Sequence, residues 1–179
     1  MLKRWRESKQ VRRQAVELYA HAVAAARQAS LYDRYDIPDT LDGRFDAVML
    51  HVFLVLDAVA AHGPETLALQ RALQEVMVDD LDRSVREAGV GDFSVGKKVH
   101  TMASACRGRL MAYSEAVAEG DRNALTAALA RNIYRSDSHP AAPRLADYVQ
   151  ERRTRMSRLS LSQLVEDGGL PTLEQAPVA

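Results

Sequence analysis

Residues 91–97, GDFSVGK, come closest to a known chemical motif. They match GxxxxGK, the loop whose backbone N–H groups and lysine hold phosphates. In that loop a serine or threonine follows the lysine and binds magnesium, and a strand precedes the first glycine. Here Lys98 follows, and the preceding residues have the periodicity of a helix. The sequence therefore does not predict a nucleotide-binding loop.

Two groups of aspartates are spaced as metal ligands could be. The sequence DDLD begins at Asp79 and is similar to the DDxxD motif with which helical prenyltransferases bind magnesium and diphosphate, and residues 42–46, DGRFD, supply a second pair. Carboxylates on facing helices could bind a hard cation. However, Asp79 and Asp82 each precede an arginine by four residues, a spacing typical of ion pairs along a helix. An isoprenoid-diphosphate enzyme is therefore an alternative function.

Lys97 and Lys98 stand in the first turn of a predicted helix, where the helix dipole already presents positive charge. Cations there lower stability, so a compensating negative group is expected. Asp80 falls on the apolar stripe of the preceding helix, and a buried carboxylate needs a partner. We therefore predict an Asp80–Lys97 ion pair, with Arg44 as the other candidate partner of Asp80. A bound anion or an acidic partner is the alternative explanation of the two lysines.

Neither the histidines nor the cysteine indicate a metal or catalytic site. The five histidines include no HxxH or HxxxH pair, and Cys106 is the single cysteine. His51 lies within an apolar helix and is predicted to be a core residue with satisfied hydrogen bonds, while Cys106 is predicted to pack as a small core residue. No Ser-His-Asp arrangement is evident. We predict no metal, no cofactor and no catalytic residue.

The N-terminal segment, residues 1–13, is strongly basic. Glu7 is its one acidic residue, among cations that surround Trp5. The members of this N-terminal basic patch are Lys3, Arg4, Trp5, Arg6, Lys9, Arg12 and Arg13. A basic amphipathic helix with an aromatic residue can bind ribosomal RNA or an anionic membrane surface. A solvated helix end without a specific partner is the alternative.

Helices must position all of these residues. Alternating β-branched stretches are missing, so the sequence predicts an all-α fold, a single compact bundle of about six helices. Apolar residues recur at helical spacing over about 9–29, 43–61, 64–88, 122–134 and 144–159, and a further helix follows Asp92 or Ser94 and reaches about residue 118. Residues 30–42 are predicted to be a break between the first two helices. One domain is expected over 1–166, followed by a disordered tail at 167–179.

Composition excludes several classes of protein. The 24 basic and 24 acidic residues give a formal net charge of zero, so the chain lacks the basic excess of a dedicated nucleic-acid-binding protein, and no DNA partner is expected. With one cysteine no internal disulfide can form, which fits a reducing compartment. The longest apolar stretch, 47–61, is too short to span a bilayer, and no signal peptide is evident. We expect a soluble protein.

Five segments form a pattern shared with a known family. They are PDTLDGRFD at 38–46, LHVFLVLD at 50–57, DDLDRSVREAGVGD at 79–92, VGKKV at 95–99 and RNIY at 131–134. Together they resemble the ubiquinol–cytochrome c chaperone family over about residues 10–135, most distinctively in the turn at 89–98. One departure is Cys106-Arg107, where an aromatic pair is expected before Gly108-Arg109.

The resemblance implies a protein without enzymatic activity that assists assembly of the cytochrome bc1 complex, the ubiquinol–cytochrome c reductase. Its client would be newly synthesised cytochrome b, met at or near the ribosome, with a small partner protein in some members. No transit peptide is evident, which points to a bacterial version that is cytoplasmic or peripheral to the inner membrane. The residues expected to bind partners are Arg44, Phe45, Phe53, Arg83, Arg86, Asp92, Lys97 and Lys98. A ribosome- or RNA-associated binding module is the remaining alternative.

Overall fold

The computed structural model describes residues 2–89 and 92–168. Within these ranges all regular secondary structure is helical, as predicted, with one short 3-10 turn at Pro64–Thr66. The helices are α1 (Leu2–Ala26), α2 (Ala29–Tyr35), α3 (Leu41–Ala60), α4 (Leu67–Glu87), α5 (Asp92–Ala118), α6 (Arg122–Ile133), α7 (Ala142–Met156) and α8 (Leu161–Asp167). The described part of the chain therefore forms eight α-helices, where the sequence predicts about six.

Helix α3 lies at the centre of the bundle because it is apolar on almost all sides. Every side chain from 49 to 55 is buried, including that of His51. A helix that is buried on every face must be covered by neighbours all round, and α3 contacts α1, α4, α5, α6 and α7. Neither α3 nor another described helix combines the length and apolar content that crossing a bilayer demands.

The other long helices bury one face each and surround α3. Helix α1 packs on α3 and α4, α4 on α5, α5 on α6, and α6 on α7. Their fully buried residues include Leu18, Leu73, Tyr113, Leu129 and Leu145. Helices that follow one another in the chain are thus mostly neighbours in space, as short connections require.

Polar side chains set the starts of three helices. Thr40 accepts a hydrogen bond from the backbone N–H of Gly43, at 3.1 Å, before α3. Asp121 accepts bonds of 2.8 and 2.9 Å from two backbone N–H groups of α6. Ser160 forms a capping box with Gln163 at the start of α8. Each cap satisfies N–H groups that the helix itself leaves unpaired, so these residues fix where the helices begin.

Helix α2, Ala29–Tyr35, occupies much of the first half of the predicted break at 30–42, which the structure therefore corrects. Its Leu31 is fully buried, and the hydroxyl of Tyr32 donates a hydrogen bond of 2.8 Å to the carbonyl oxygen of Ala26. A helix of seven residues is too short to be stable through its own hydrogen bonds. Burial of Leu31, the Tyr32 hydrogen bond and contacts with α7 therefore stabilise it, and local sequence periodicity could not show them.

Helix α8 packs back onto α1. Leu164 and Val165 are buried, and Nε2 of His21 donates a hydrogen bond of 3.1 Å to the carbonyl oxygen of Val165. Asp167, the first residue of the predicted tail, ends this helix, and Gly168 caps it with a φ of +71°. The rest of that predicted tail, residues 169–179, lies outside the described residues.

Candidate functional site

Segment 38–46 turns sharply into α3 and carries Asp46 to the interior. Gly43 is buried in the first turn, and a Cβ at this position would overlap the carbonyl oxygen of Pro38. The missing side chain lets the incoming backbone pack closely against the helix. Asp46 stands one turn later and is completely buried. The local fold thus places an acidic side chain in the core.

Asp46 lies between two arginines from distant parts of the chain. Its Oδ1 is 3.1 Å from Nη2 of Arg109 on α5, and its Oδ2 is 2.9 Å from Nη1 of Arg135, which follows α6. Arg135 also lies 3.5 Å from Asp42 at the start of α3. Burial raises the pKa of the Asp46 carboxyl, and the two guanidiniums partly offset that rise. These four residues, the Asp46 cluster, join α3, α5 and the end of α6.

Aromatic side chains surround this cluster. The guanidinium of Arg109 lies 5.9 Å from the ring centroid of Phe45, a cation–π distance. One turn further along α5, Tyr113 is fully buried, and its ring centroid is 5.5 Å from that of Phe53. Cys106, on the same helix, is buried as predicted. The Asp46–Arg109 pair is therefore enclosed by packed side chains, which strengthens it relative to exposed ion pairs, whereas Arg135 and Asp42 are about half-exposed or more.

The end of α6 is held in an unusual backbone conformation beside the cluster. The hydroxyl of Tyr134 donates a hydrogen bond of 2.5 Å to the carbonyl oxygen of Tyr35, which ties α6 to the end of α2. The next residue, Arg135, has a φ of +52°. Side chains other than glycine rarely adopt such an angle, and the surrounding structure must compensate its cost. The ion pairs of Arg135 with α3 supply that compensation.

Sequence reasoning missed the Asp46 cluster. Asp42 and Asp46 were visible as a DxxxD pair that could bind a cation, but Arg109 and Arg135 are remote in the chain and no local spacing points to them. Because each oxygen of Asp46 faces a guanidinium, the pair is not a metal site. Within residues 2–89 and 92–168, no three His, Cys, Asp or Glu side chains are grouped as metal ligands would be.

Asp80 has other partners than Lys97, with which the sequence predicts an ion pair. Its Oδ2 accepts a hydrogen bond of 2.9 Å from the hydroxyl of Tyr19, and its Oδ1 lies 3.5 Å from Arg83. The side chain is 40% exposed rather than buried, because α1 covers this face of α4 only in part. Lys97 is exposed on α5, and no ion pair joins it to Asp80 in the part of the chain that the structure describes. Asp80 therefore connects α4 to α1 instead of to α5.

The neighbouring aspartates are also held by arginines. Oδ2 of Asp82 is 2.6 Å from Nε of Arg86, the pair that the spacing of four residues predicts. Asp79 instead lies 2.8 Å from Nη2 of Arg12 on α1. Carboxylates that face arginines are poor ligands for a magnesium–diphosphate group. The structure therefore does not favour the isoprenoid-diphosphate alternative.

The residues predicted to bind partners lie in three places. Phe53 is 1% exposed in the core, so the structure corrects its assignment to a surface. Arg44 and Phe45 lie in the first turns of α3, where Arg44 is exposed and pairs with Asp39 at 2.6 Å. Four others are exposed basic residues near the end of α4 and in the first turns of α5, here called the α4–α5 basic surface: Arg83, Arg86, Lys97 and Lys98. The side chain of Asp92 lies outside the described part of the structure.

The N-terminal basic patch lies on the first turns of α1. Trp5 is 57% exposed, and Nζ of Lys9 lies 3.7 Å from the centroid of its ring. The described cations of the patch, all exposed, are Arg6, Lys9, Arg12 and Arg13. The side chains of Lys3 and Arg4 lie outside the described part of the structure. The patch is therefore an open surface, fixed to α4 through the ion pair of Arg12.

His51 is a fully buried core residue with both ring nitrogens hydrogen-bonded, as predicted. Nδ1 lies 2.7 Å from the carbonyl oxygen of Ala47, which can only accept, so Nδ1 carries the proton. Nε2 then accepts from the hydroxyl of Tyr148 on α7, at 2.8 Å. The guanidinium of Arg152, itself 2% exposed, lies 5.1 Å from the Tyr148 ring centroid. This network joins α3 to α7 and holds the imidazole in its neutral form.

Because His51 is neutral in the folded protein, we expect acid to destabilise the fold. Burial lowers the pKa of His51 from 6.5 to about 4. Below pH 6.5 the unfolded chain binds a proton that the folded chain does not accept until about pH 4. The free energy of unfolding should therefore fall by up to about 3 kcal/mol as pH drops through this window. Urea unfolding of the wild type and of His51→Gln across this pH range measures the effect. If the free energies of unfolding of the two proteins changed in parallel with pH, the prediction would be wrong.

Comparison with known proteins identifies the family to which the fold belongs. A family model described as ubiquinol-cytochrome C chaperone matches residues 33–169. The chain belongs to this chaperone family. The matched region contains the Asp46 cluster and the α4–α5 basic surface, whereas the N-terminal basic patch precedes it. The resemblance noted in the sequence is thereby confirmed.

Individual relatives agree with this chaperone family. The crystal structure of the Cbp3 homolog from Brucella abortus is 34% identical, with a TM-score of 0.77 and 92% of each chain covered. Ubiquinol-cytochrome c reductase complex assembly factor 1 of Drosophila melanogaster is 24% identical, and the mouse protein of that name is 23% identical. These matches cover 83% and 91% of this chain, but only 60% and 57% of the fly and mouse proteins.

Proposed function

We propose that this chain is a non-enzymatic chaperone for assembly of the cytochrome bc1 complex and that its client is newly made cytochrome b. The family match over residues 33–169 carries the proposal, and relatives named as reductase complex assembly factors support it. The aspartates that could have served a metal-dependent enzyme face arginines instead. Binding rather than chemistry is the function that this helical body fits.

The α4–α5 basic surface is the proposed site of client or partner docking, together with Arg44 and Phe45. Lys97 and Lys98 are exposed, and because α5 begins at Asp92 they lie in its second turn rather than in the first turn that the sequence predicts. Neither lysine forms an ion pair with another described residue. Their charge is therefore available to an anionic group on a partner, and it would attract such a partner over a distance before contact.

Reversing these two charges should weaken capture of the client. We expect Lys97→Glu with Lys98→Glu to lower the amount of cytochrome b recovered with the tagged protein by about tenfold, equivalent to about 1.4 kcal/mol of binding free energy. Because both side chains are exposed, the substitution should leave the melting temperature nearly unchanged. Affinity purification in mild detergent, followed by quantification of cytochrome b, measures the effect.

The matched control is Lys97→Arg with Lys98→Arg, which keeps both charges and should recover cytochrome b as the wild type does. Equal recovery with the glutamate variant would show that docking uses another surface. Absence of cytochrome b from the wild-type purification, under conditions that retain newly made membrane proteins, would contradict the proposed client itself.

A further inference from the structure

The first turns of α1 extend beyond the hydrophobic core. From Ala15 onward the helix buries a regular face, with Leu18 and Ala22 fully inaccessible. Between residues 5 and 13 only Val11 is even half-buried, and the other side chains are exposed. This segment therefore presents its side chains to the outside instead of contributing to the core.

The charge of this segment is strongly one-sided. Residues 2–13 contain six basic side chains and one acidic one, and the first turn of α1 contains no acidic residue. The helix dipole is positive at this end, so the cations and the dipole repel one another. Inside the chain, only the pairs of Arg12 with Asp79 and Arg13 with Glu17 relieve that repulsion among the described residues. An external anionic surface would relieve the remainder.

Apolar side chains lie among these cations on the outward face of α1. Trp5 and Val16 are both about half-exposed or more. They stand about three turns apart on the same side of the helix, away from the face that Ala15 and Leu18 bury. Lys9 and Arg13 lie between them by helical spacing, and an open groove runs beside Lys9, Gln10 and Arg13. Apolar and basic groups therefore share one accessible surface.

We infer that this outward face of α1, formed by Trp5, Lys9, Arg13 and Val16 together with Arg6, docks on the anionic headgroup layer of a phospholipid bilayer. Tryptophan is favoured at that depth because its ring is apolar and its N–H remains hydrated. Lysine and arginine beside it would contact lipid phosphates. The role is peripheral: α1 would lie on the surface while the rest of the bundle stays in water.

The exposed Val16 favours a bilayer over a nucleic acid as the partner. The phosphates of a nucleic acid would contact the cations, and one of its bases could stack on Trp5. Neither group would contact an aliphatic side chain on the same face. The inference does not depend on the proposed chaperone function, because lipid binding can be measured with the purified chain alone.

Trp5 provides the measurement, since the chain has a single tryptophan. The purified full-length protein is titrated with vesicles of phosphatidylcholine and with vesicles that also contain phosphatidylglycerol. We expect a blue shift of the fluorescence and co-sedimentation with the anionic vesicles only, both weakening as salt is added. Lys9→Glu with Arg13→Glu should reduce this binding more than tenfold, and Trp5→Ala should reduce it several-fold.

The matched control is Arg71→Glu with Arg107→Glu, which changes the net charge equally at exposed positions on α4 and α5. It should bind vesicles within about twofold of the wild type. Failure of the wild type to bind anionic vesicles, or equal losses in the two double variants, would overturn the inference. So would binding of single-stranded RNA that depends on Lys9 and Arg13 while vesicle binding does not. Circular dichroism and melting temperature verify that each variant is folded.

Discussion

Replacing Asp46 with alanine should lower the free energy of unfolding by about 3–5 kcal/mol. The substitution leaves Arg109, whose side chain is 19% exposed, without its carboxylate. It also removes the shorter of the two ion pairs of Arg135, whose backbone is already strained. An uncompensated charge in such surroundings is costly, and a domain of this size has only about 5–15 kcal/mol of stability in total. Urea unfolding monitored by circular dichroism measures the loss.

Asp147→Ala is the matched control for Asp46→Ala. Asp147 lies 2.8 Å from Arg122, a similar distance, but both side chains are about half-exposed or more. Its loss should cost less than about 1 kcal/mol, since water replaces the ion pair. Arg109→Ala combined with Asp46→Ala should cost less than the sum of the two single changes, because no buried charge is then left alone. Equal costs for Asp46→Ala and Asp147→Ala would show that the cluster does not stabilise the fold.

Gly43→Ala should be the second strongly destabilising substitution. The added Cβ would overlap the carbonyl oxygen of Pro38, which is backbone and cannot rotate away. Removing this overlap requires the backbone before α3 to move, so we expect the free energy of unfolding to fall by at least about 2 kcal/mol. The position of Asp46 one turn later would shift as well. Thermal and urea unfolding provide the measurement.

Gly108→Ala is the control for Gly43→Ala, because Gly108 is also helical but has open space around its missing side chain. Alanine has the higher helix propensity, so this substitution should raise the stability by up to about 1 kcal/mol. We therefore expect Gly43→Ala to lower the free energy of unfolding and Gly108→Ala to raise it. A stabilised Gly43→Ala protein would mean that the backbone before α3 moves freely, contrary to the close contact of Gly43 with Pro38.

The long helices could be predicted from sequence because each carries its own periodic signal. Helix α3, expected at about 43–61, is observed at Leu41–Ala60, and α6, expected at about 122–134, at Arg122–Ile133. The two short helices could not be predicted, because seven residues span only about two turns. Helix α2 depends on contacts with α7, and α8 depends on contacts with α1, and these contacts exist only when the chain is folded. Helix α1 begins at Leu2 rather than near residue 9, because residues 2–8 are mostly charged or polar and lack the apolar periodicity from which its start was predicted.

Ion pairs within one helix could likewise be predicted from the sequence, whereas ion pairs between remote segments could not. The Asp82–Arg86 pair follows from a spacing of four residues along one helix. Arg109 and Arg135, which pair with Asp46, and Tyr19, which bonds to Asp80, are remote from these aspartates in the sequence. The helical spacing that assigned Asp80 to the core could not show that α1 leaves its side chain partly exposed. His51 was predicted correctly as a satisfied core residue because burial alone required it, while its partner Tyr148 could not be named.

The most direct test of the proposed role in bc1 assembly is to measure the amount of bc1 complex in cells that lack the gene. Ubiquinol–cytochrome c reductase activity and the absorbance of heme b in isolated membranes should both fall strongly, while succinate dehydrogenase activity stays at its normal level. Expression of the wild-type chain should restore the complex. Normal amounts of active bc1 complex in the deletion strain would contradict the proposed function.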